Sequence, residues 1–114
     1  MNGRAVCFGM LALAGCASRA LPNAELVRAE GAISAAAALG GGKHPGASRQ
    51  IERAKKEIER AKTLARDGNG REGRLVLEGA RVDAELGIMI MRAAKAREEA
   101  HQATETAGAV SRAP

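Results

Sequence analysis

Few of the 114 residues carry side chains that do covalent or metal chemistry: two thiols, Cys7 and Cys16, and two imidazoles, His44 and His101. Neither histidine has a thiol or an acidic cluster beside it at ligand spacing, so no metal site is expected. Nucleophilic catalysis needs a base next to the nucleophile and a concave pocket around both. No such pairing stands in the sequence, and neither an enzyme nor a cofactor is expected. Gly68-Asn69-Gly70-Arg71-Glu72-Gly73 has the spacing of a dinucleotide fingerprint, but that motif must follow a β-strand, and the segment before it has helical periodicity. Asp67 and Asn69 begin like a calcium loop. Arg71 and Glu72 then occupy the positions that need a ligand and a turning glycine.

The remaining chemistry lies at the start of the chain. Arg4 is followed by a mostly apolar run from Ala5 to Ala14, too short to span a bilayer and suited to a secretory signal. The run ends Leu13-Ala14-Gly15-Cys16, which resembles the lipobox of bacterial lipoproteins. That resemblance implies cleavage between Gly15 and Cys16 and lipid on the Cys16 thiol, with residues 1–15 removed. The acyl chains would then hold the protein on a membrane, each buried methylene contributing about 0.8 kcal/mol. Cys7 leaves with the signal, so no disulfide forms within one mature chain. Ala17 rather than Asp follows the cysteine, which in a Gram-negative host implies the outer membrane, with the protein facing the periplasm.

Composition sets the fold class. Ala supplies 26 residues, whereas Leu, Ile, Val and Phe together supply 20, with one Phe and no Tyr or Trp. Such a chain favours helix over strand and builds a thin core. The expectation is all-α: an antiparallel helical hairpin, or a small up-down-up three-helix bundle with a long C-terminal helix.

The expected elements follow from period and punctuation. Residues 16–22 form the lipidated N-terminus and a short tether, its last six residues spanning at most about 20 Å. Asn23 is a good N-cap for a first helix over about 24–39, with Leu26, Ala29, Ile33 and Ala36 on its apolar face. Four glycines and Pro45 between Gly40 and Gly46 make a loop. A second helix is expected over about 47–67, with Ile51, Ala54, Ile58, Ala61 and Ala65 at three-four spacing. Asp67 to Gly70 closes a tight helical hairpin.

The third helix is expected over about 71–104. Leu75, Gly79, Val82, Leu86, Met89, Ala93, Ala96 and Ala100 repeat at four and three, and Ala80, Ala84, Gly87, Met91 and Ala94 are expected to widen that face. The helix outruns its neighbours, and its overhang, with Arg92, Lys95, Arg97, Glu98, Glu99 and His101, either packs on the first helix or stands free. Residues 105–114 are expected to form a disordered tail.

The second helix is basic, with Arg49, Arg53, Lys55, Lys56, Arg60, Lys62 and Arg66 against Glu52, Glu57 and Glu59. Most of this is a solvated face with i,i+4 pairing. Lys55, Lys56 and Arg60 are its candidate contacts to a polyanion. Nucleic acid is not an expected partner, since the one aromatic, Phe8, leaves with residues 1–15 and none remains for stacking. Anionic lipid and peptidoglycan are the polyanions within reach. Asp83 is expected to meet a Lys or Arg of the second helix in a structural ion pair.

Three segments resemble a family of small Gram-negative lipoproteins with an alanine-rich helical domain of unknown function, found alone or ahead of a peptidoglycan-binding domain of the outer membrane protein A type. They are Ala54-Lys55-Lys56-Glu57-Ile58-Glu59-Arg60-Ala61, Ala65-Arg66-Asp67-Gly68 and Ala80-Arg81-Val82-Asp83-Ala84-Glu85-Leu86. The resemblance spans roughly residues 21–100 and carries no catalytic residues. Gly79 and Gly87 depart from it where Ala is expected. The expected function is a lipid-anchored structural or protein-interaction module of the envelope with a protein partner there; the alternative is a weak polyanion-binding module.

Overall fold

The computed structural model describes residues 20–114. Among these the chain forms α1 (Asn23–Ala38), a single 3₁₀ turn (Gly41–Lys43), α2 (Pro45–Arg66) and α3 (Gly70–Arg112), with no strand. The all-α expectation holds, in its three-helix form with a long last helix. Cys16, Gly15 and the signal sequence lie outside the described residues.

Each helix boundary has a local cause. α1 starts on Pro22, whose carbonyl accepts from Glu25 and Leu26 N–H, so Asn23 is the first helical residue rather than the cap. At its far end Gly40 takes φ +87°, a left-handed angle that L side chains resist. Gly41 follows so tightly that a Cβ there would sit 2.6 Å from the Ala36 carbonyl oxygen. α2 begins with Pro45 in its first turn, and the His44 ring closes the cap, Nδ1 accepting from Ala47 N–H at 3.3 Å. One of the two imidazoles is thus a capping group. Gly68, at φ +88°, ends α2, and Asn69 N–H returns to the Leu64 carbonyl at 2.8 Å.

The hairpin of α2 and α3 is antiparallel, and α1 lies across it parallel to α3. Leu21 lies against Gly73 at the hairpin-turn end, and Ala36 lies against Gly87 at the other. The core between them is thin: Ala29, Ala54, Ile58, Ala61, Leu77, Ala80 and Ala84 form one cluster, flanked by Leu21, Leu26, Ala32, Ile33 and Val76. Leu77 is its one large, fully buried side chain. Small residues permit close helix approach. A Cβ on Gly73 would stand 2.9 Å from the Ala61 carbonyl oxygen.

The faces of α1 and α2 are those expected from their spacing. That of α3 is not. The row buried against α1 and α2 is Gly70, Gly73, Leu77, Ala80, Ala84 and Gly87, continued by half-buried Met91 and Ala94. The row expected to lead the core stands in solvent, with Leu75 70%, Val82 51%, Leu86 42% and Met89 65% exposed. The cause is the hairpin turn. Gly70, four residues after Arg66, starts α3 and is buried, and one turn on Gly73 comes so close to α2 that a Cβ there would meet the Ala61 carbonyl oxygen, so this side of α3 faces the bundle.

The expected disordered tail is also corrected. α3 continues to Arg112, because Ala103, Ala107 and Ala109 favour helix and the first strong breaker is Pro114. Ser111 Oγ and Arg112 Nε both donate to the Gly108 carbonyl at 3.0 Å and tie down the last turn. The overhang stands free of α1: every residue from Lys95 to Ala107 is exposed. From Lys95 to Arg112 it is roughly 27 Å of single helix.

Candidate functional site

α3 carries two apolar rows on opposite sides. The inner row, from Gly70 to Ala94, keeps alternating three-four spacing and is used within the chain. The outer row runs Leu75, Gly79, Val82, Leu86, Met89, Ala93, Ala96, Ala100, Ala103, Ala107 and Val110, also at alternating four and three. This is a heptad seam of the kind that joins two helices, and among the described residues α1 and α2 leave it open except at half-buried Gly79, where Glu57 Oε2 of α2 lies 3.5 Å from where a Cβ would stand. Its last member, Val110, is 71% exposed.

The two rows end differently. Past Ala94, where α1 and α2 no longer flank the helix, the inner positions become Glu98, His101, Glu105, Gly108 and Arg112. The outer row stays apolar for another sixteen residues. A surface with no use would be expected to turn polar where its helix leaves the bundle, as the inner row does. Periodicity alone reveals both rows, but it does not rank them. Leu77 lies in neither expected row, and Gly70 and Gly73 stand out first as turn residues, which hides the start of the inner row.

Ion pairs line the flanks of α3. Arg53 Nε lies 2.9 Å from Asp83 Oδ2 and 3.4 Å from Glu57 Oε1, the expected structural pair between α2 and Asp83. Asp83 Oδ2 takes part in this ion pair without a hydrogen bond, and buried Glu57 Oε2 and Gln50 Oε1 also have no hydrogen-bond partner among the described residues. On the other flank Arg81 bridges Glu78 and Glu85. Its hydrogen bond holds the Glu78 carboxyl below the usual range, with Arg28 of α1 adding to the effect. Both glutamates raise the Arg81 guanidinium in turn. Asp83 thereby ties α3 to α2, whereas the Arg81 pairs lie within α3 itself.

The basic candidates on α2 are all exposed, but two already have partners. Lys55 Nζ lies 2.8 Å from Glu52, whose carboxyl that hydrogen bond lowers, and Arg60 Nη2 lies 3.7 Å from Glu72. Lys56 makes no ion pair within 4 Å among the described residues. Lys62 pairs with Glu59 at 2.9 Å and reaches Glu30 of α1 at 3.5 Å; the Glu59 hydrogen bond raises its ammonium above the usual range. At the hairpin-turn end, Arg71 and Arg74 border a shallow groove with Gly68, Asn69 and Leu75.

Among the described residues no group of three or more His, Cys, Asp or Glu could hold a metal ion. No helix among them is long and apolar enough to cross a membrane. His101 is an exposed side chain on the overhang, 3.7 Å from Glu105. No family model, no curated protein and no solved structure matches this chain.

Proposed function

We propose that this protein is a helical interaction module of the cell envelope, anchored to the outer membrane through lipid on Cys16 and displaying α3 to a protein partner in the periplasm. The observation that carries this reading is the outer row of α3: eleven positions in heptad spacing, ten of them apolar side chains, continued along an overhang on which no other described element packs. Anchoring and display complement each other. The lipid fixes where the protein is, and the seam provides what it binds. The anchor rests on Leu13 to Cys16 and is tested by fatty-acid labelling, with label in the wild type and none in Cys16→Ser. The display is tested with a photoreactive residue in place of Leu86 in intact envelopes. Crosslinks to protein support the module, and their absence at this position and at Met89 refutes it.

A second reading, weak contact with a polyanion, is favoured by the position of the chain entry. Leu21 packs at the hairpin-turn end, so Cys16 lies at most about 18 Å from that end. Arg71 and Arg74 line the groove there, with Glu72 also on its rim, and Arg66 ends α2; among the described residues none of these three arginines makes an ion pair within 4 Å, nor does Lys56 of α2. Near an anionic surface each basic residue contributes roughly 1 kcal/mol. Binding of anionic vesicles or peptidoglycan should then fall steeply with salt. Charge reversal of Lys55, Lys56 and Arg60 should weaken it less than reversal of Arg66, Arg71 and Arg74, because Lys55 and Arg60 are already engaged with Glu52 and Glu72.

A further inference from the structure

We infer that the partner seated on the outer row of α3 is a second copy of the same chain, paired antiparallel about a two-fold axis near Ala94 and Lys95. This inference rests on the reading of α3 as an interaction surface and names its occupant. Two independent features of the sequence along the seam point to it.

The first is size. In an antiparallel heptad pair each a position faces a d position of the partner. With the axis between Ala94 and Lys95, Leu86 faces the partner's Ala103, Met89 faces the partner's Ala100, Val82 faces the partner's Ala107, and Gly79 faces the partner's Val110. Large side chains meet small ones at every layer away from the centre, and Ala93 meets the partner's Ala96 at the middle. A parallel pair in register would instead set Leu86 on the partner's Leu86 and Ala100 on the partner's Ala100, crowding one half and leaving the other loose.

The second is charge. In the antiparallel register Arg92 faces the partner's Glu99, twice by symmetry, and no like charges meet at the flanking positions. Arg92 has no ion pair of its own among the described residues, and Glu99 has only Lys95 at 3.8 Å. Parallel pairing would oppose Glu78 to the partner's Asp83 and Arg92 to the partner's Arg97, both repulsive. The same register resolves the two unpartnered parts of the fold together. Each overhang, Lys95 to Arg112, lies along the exposed row of the other chain's bundled part; α1 and α2 pack on the inner row, and α2 reaches the seam only at its Gly79 end, through the Glu57 carboxylate beside Gly79 and the Arg53 pair with Asp83.

The test uses the full chain in mild detergent with Cys7→Ser and Cys16→Ser as background. Sedimentation velocity should show a dimer that dissociates on dilution. Leu86→Glu with Met89→Glu should weaken it at least tenfold while far-ultraviolet circular dichroism is unchanged. Arg92→Glu or Glu99→Arg should each weaken it severalfold, and the two together should restore it. Under oxidation Val82→Cys mixed with Ala107→Cys should form a mixed disulfide dimer, and Val82→Cys alone should not. A chain that stays monomeric up to about 100 µM overturns the inference, as does a Val82→Cys homodimer or a dimer that ignores these substitutions. If the purified chain is monomeric yet Leu86 crosslinks to a different envelope protein, the inference fails and the interaction module stands; if no protein is crosslinked, both fail.

Discussion

The two halves of α3 are built from similar residues and held in different ways. From Gly70 to Ala94 the helix is clamped by α1 and α2 along its inner row, and glycine and alanine there allow contact close enough that Gly73 admits no Cβ without a shift. From Lys95 to Arg112 no other described element packs on it, and it relies on helix propensity, on the Gln102 to Glu98 hydrogen bond at 2.8 Å and on a spaced Lys95 to Glu99 pair. Most helical stability in proteins comes from tertiary packing, and this stretch has none among the described residues. Yet the overhang keeps an apolar row, and that row continues the exposed one on the clamped half. Burial within a chain and apolar patterning are therefore separate facts in this molecule: the inner row marks where the chain folds on itself, and the outer row marks where it is available to another helix.

The sharpest way to break this comparison is to exchange the rows' fates by substitution. Ile58→Asp, facing the inner row from α2 at 4% exposure, should unfold the bundle, since an unpaired buried carboxylate costs several kcal/mol against a total stability of roughly 5. Leu77→Ala should cost about 2 to 4 kcal/mol by chemical denaturation. Gly73→Val should cost about 1 to 3 kcal/mol, because its Cβ meets the Ala61 carbonyl oxygen and backbone cannot yield cheaply. By contrast, Leu86→Glu should change the stability of the monomer by no more than about 0.5 kcal/mol while abolishing most self-association. Equal destabilisation by Leu77→Ala and Leu86→Ala would erase the distinction between the rows.

The smallest effect concerns pH. The carboxyls of Glu52 and Glu78 are lowered by hydrogen bonds from Lys55 and Arg81. Groups lowered in the folded state contribute stability above the ordinary carboxylate range and lose it as pH falls through their folded values. The melting temperature should therefore decline slightly below about pH 4, and Glu78→Gln should remove part of that decline. Both groups are solvent-exposed, so the change should be far smaller than any core substitution produces.

Much of this arrangement was legible in the residues. Helix-favouring composition, the glycine breaks at Gly40 and Gly68, and the three-four spacing of Ile51, Ala54, Ile58 and Ala61 yield three helices and the correct faces of α1 and α2. The choice between the rows of α3 was not legible, because it depends on three dimensions: a short turn brings Gly70 and Gly73 under α2, and residues without side chains leave no trace in a hydrophobic pattern. The helical end was missed for a related reason. Gly108 and Ser111 resemble a frayed tail, but the surrounding alanines and the bonds to the Gly108 carbonyl outweigh them. The candidate cations Lys55 and Arg60 were identified correctly as exposed, while their ion pairs with Glu52 and Glu72 became visible only in the packed hairpin.

Amide hydrogen exchange across Lys95 to Arg112, measured on the full chain over a range of protein concentrations, tests the account most directly. A helix ordered by a second copy should exchange within seconds when dilute and gain protection as concentration rises, while amides of Leu77 to Ala84 stay protected throughout. An overhang that exchanges equally fast at every concentration, or is equally protected at the lowest, would contradict it.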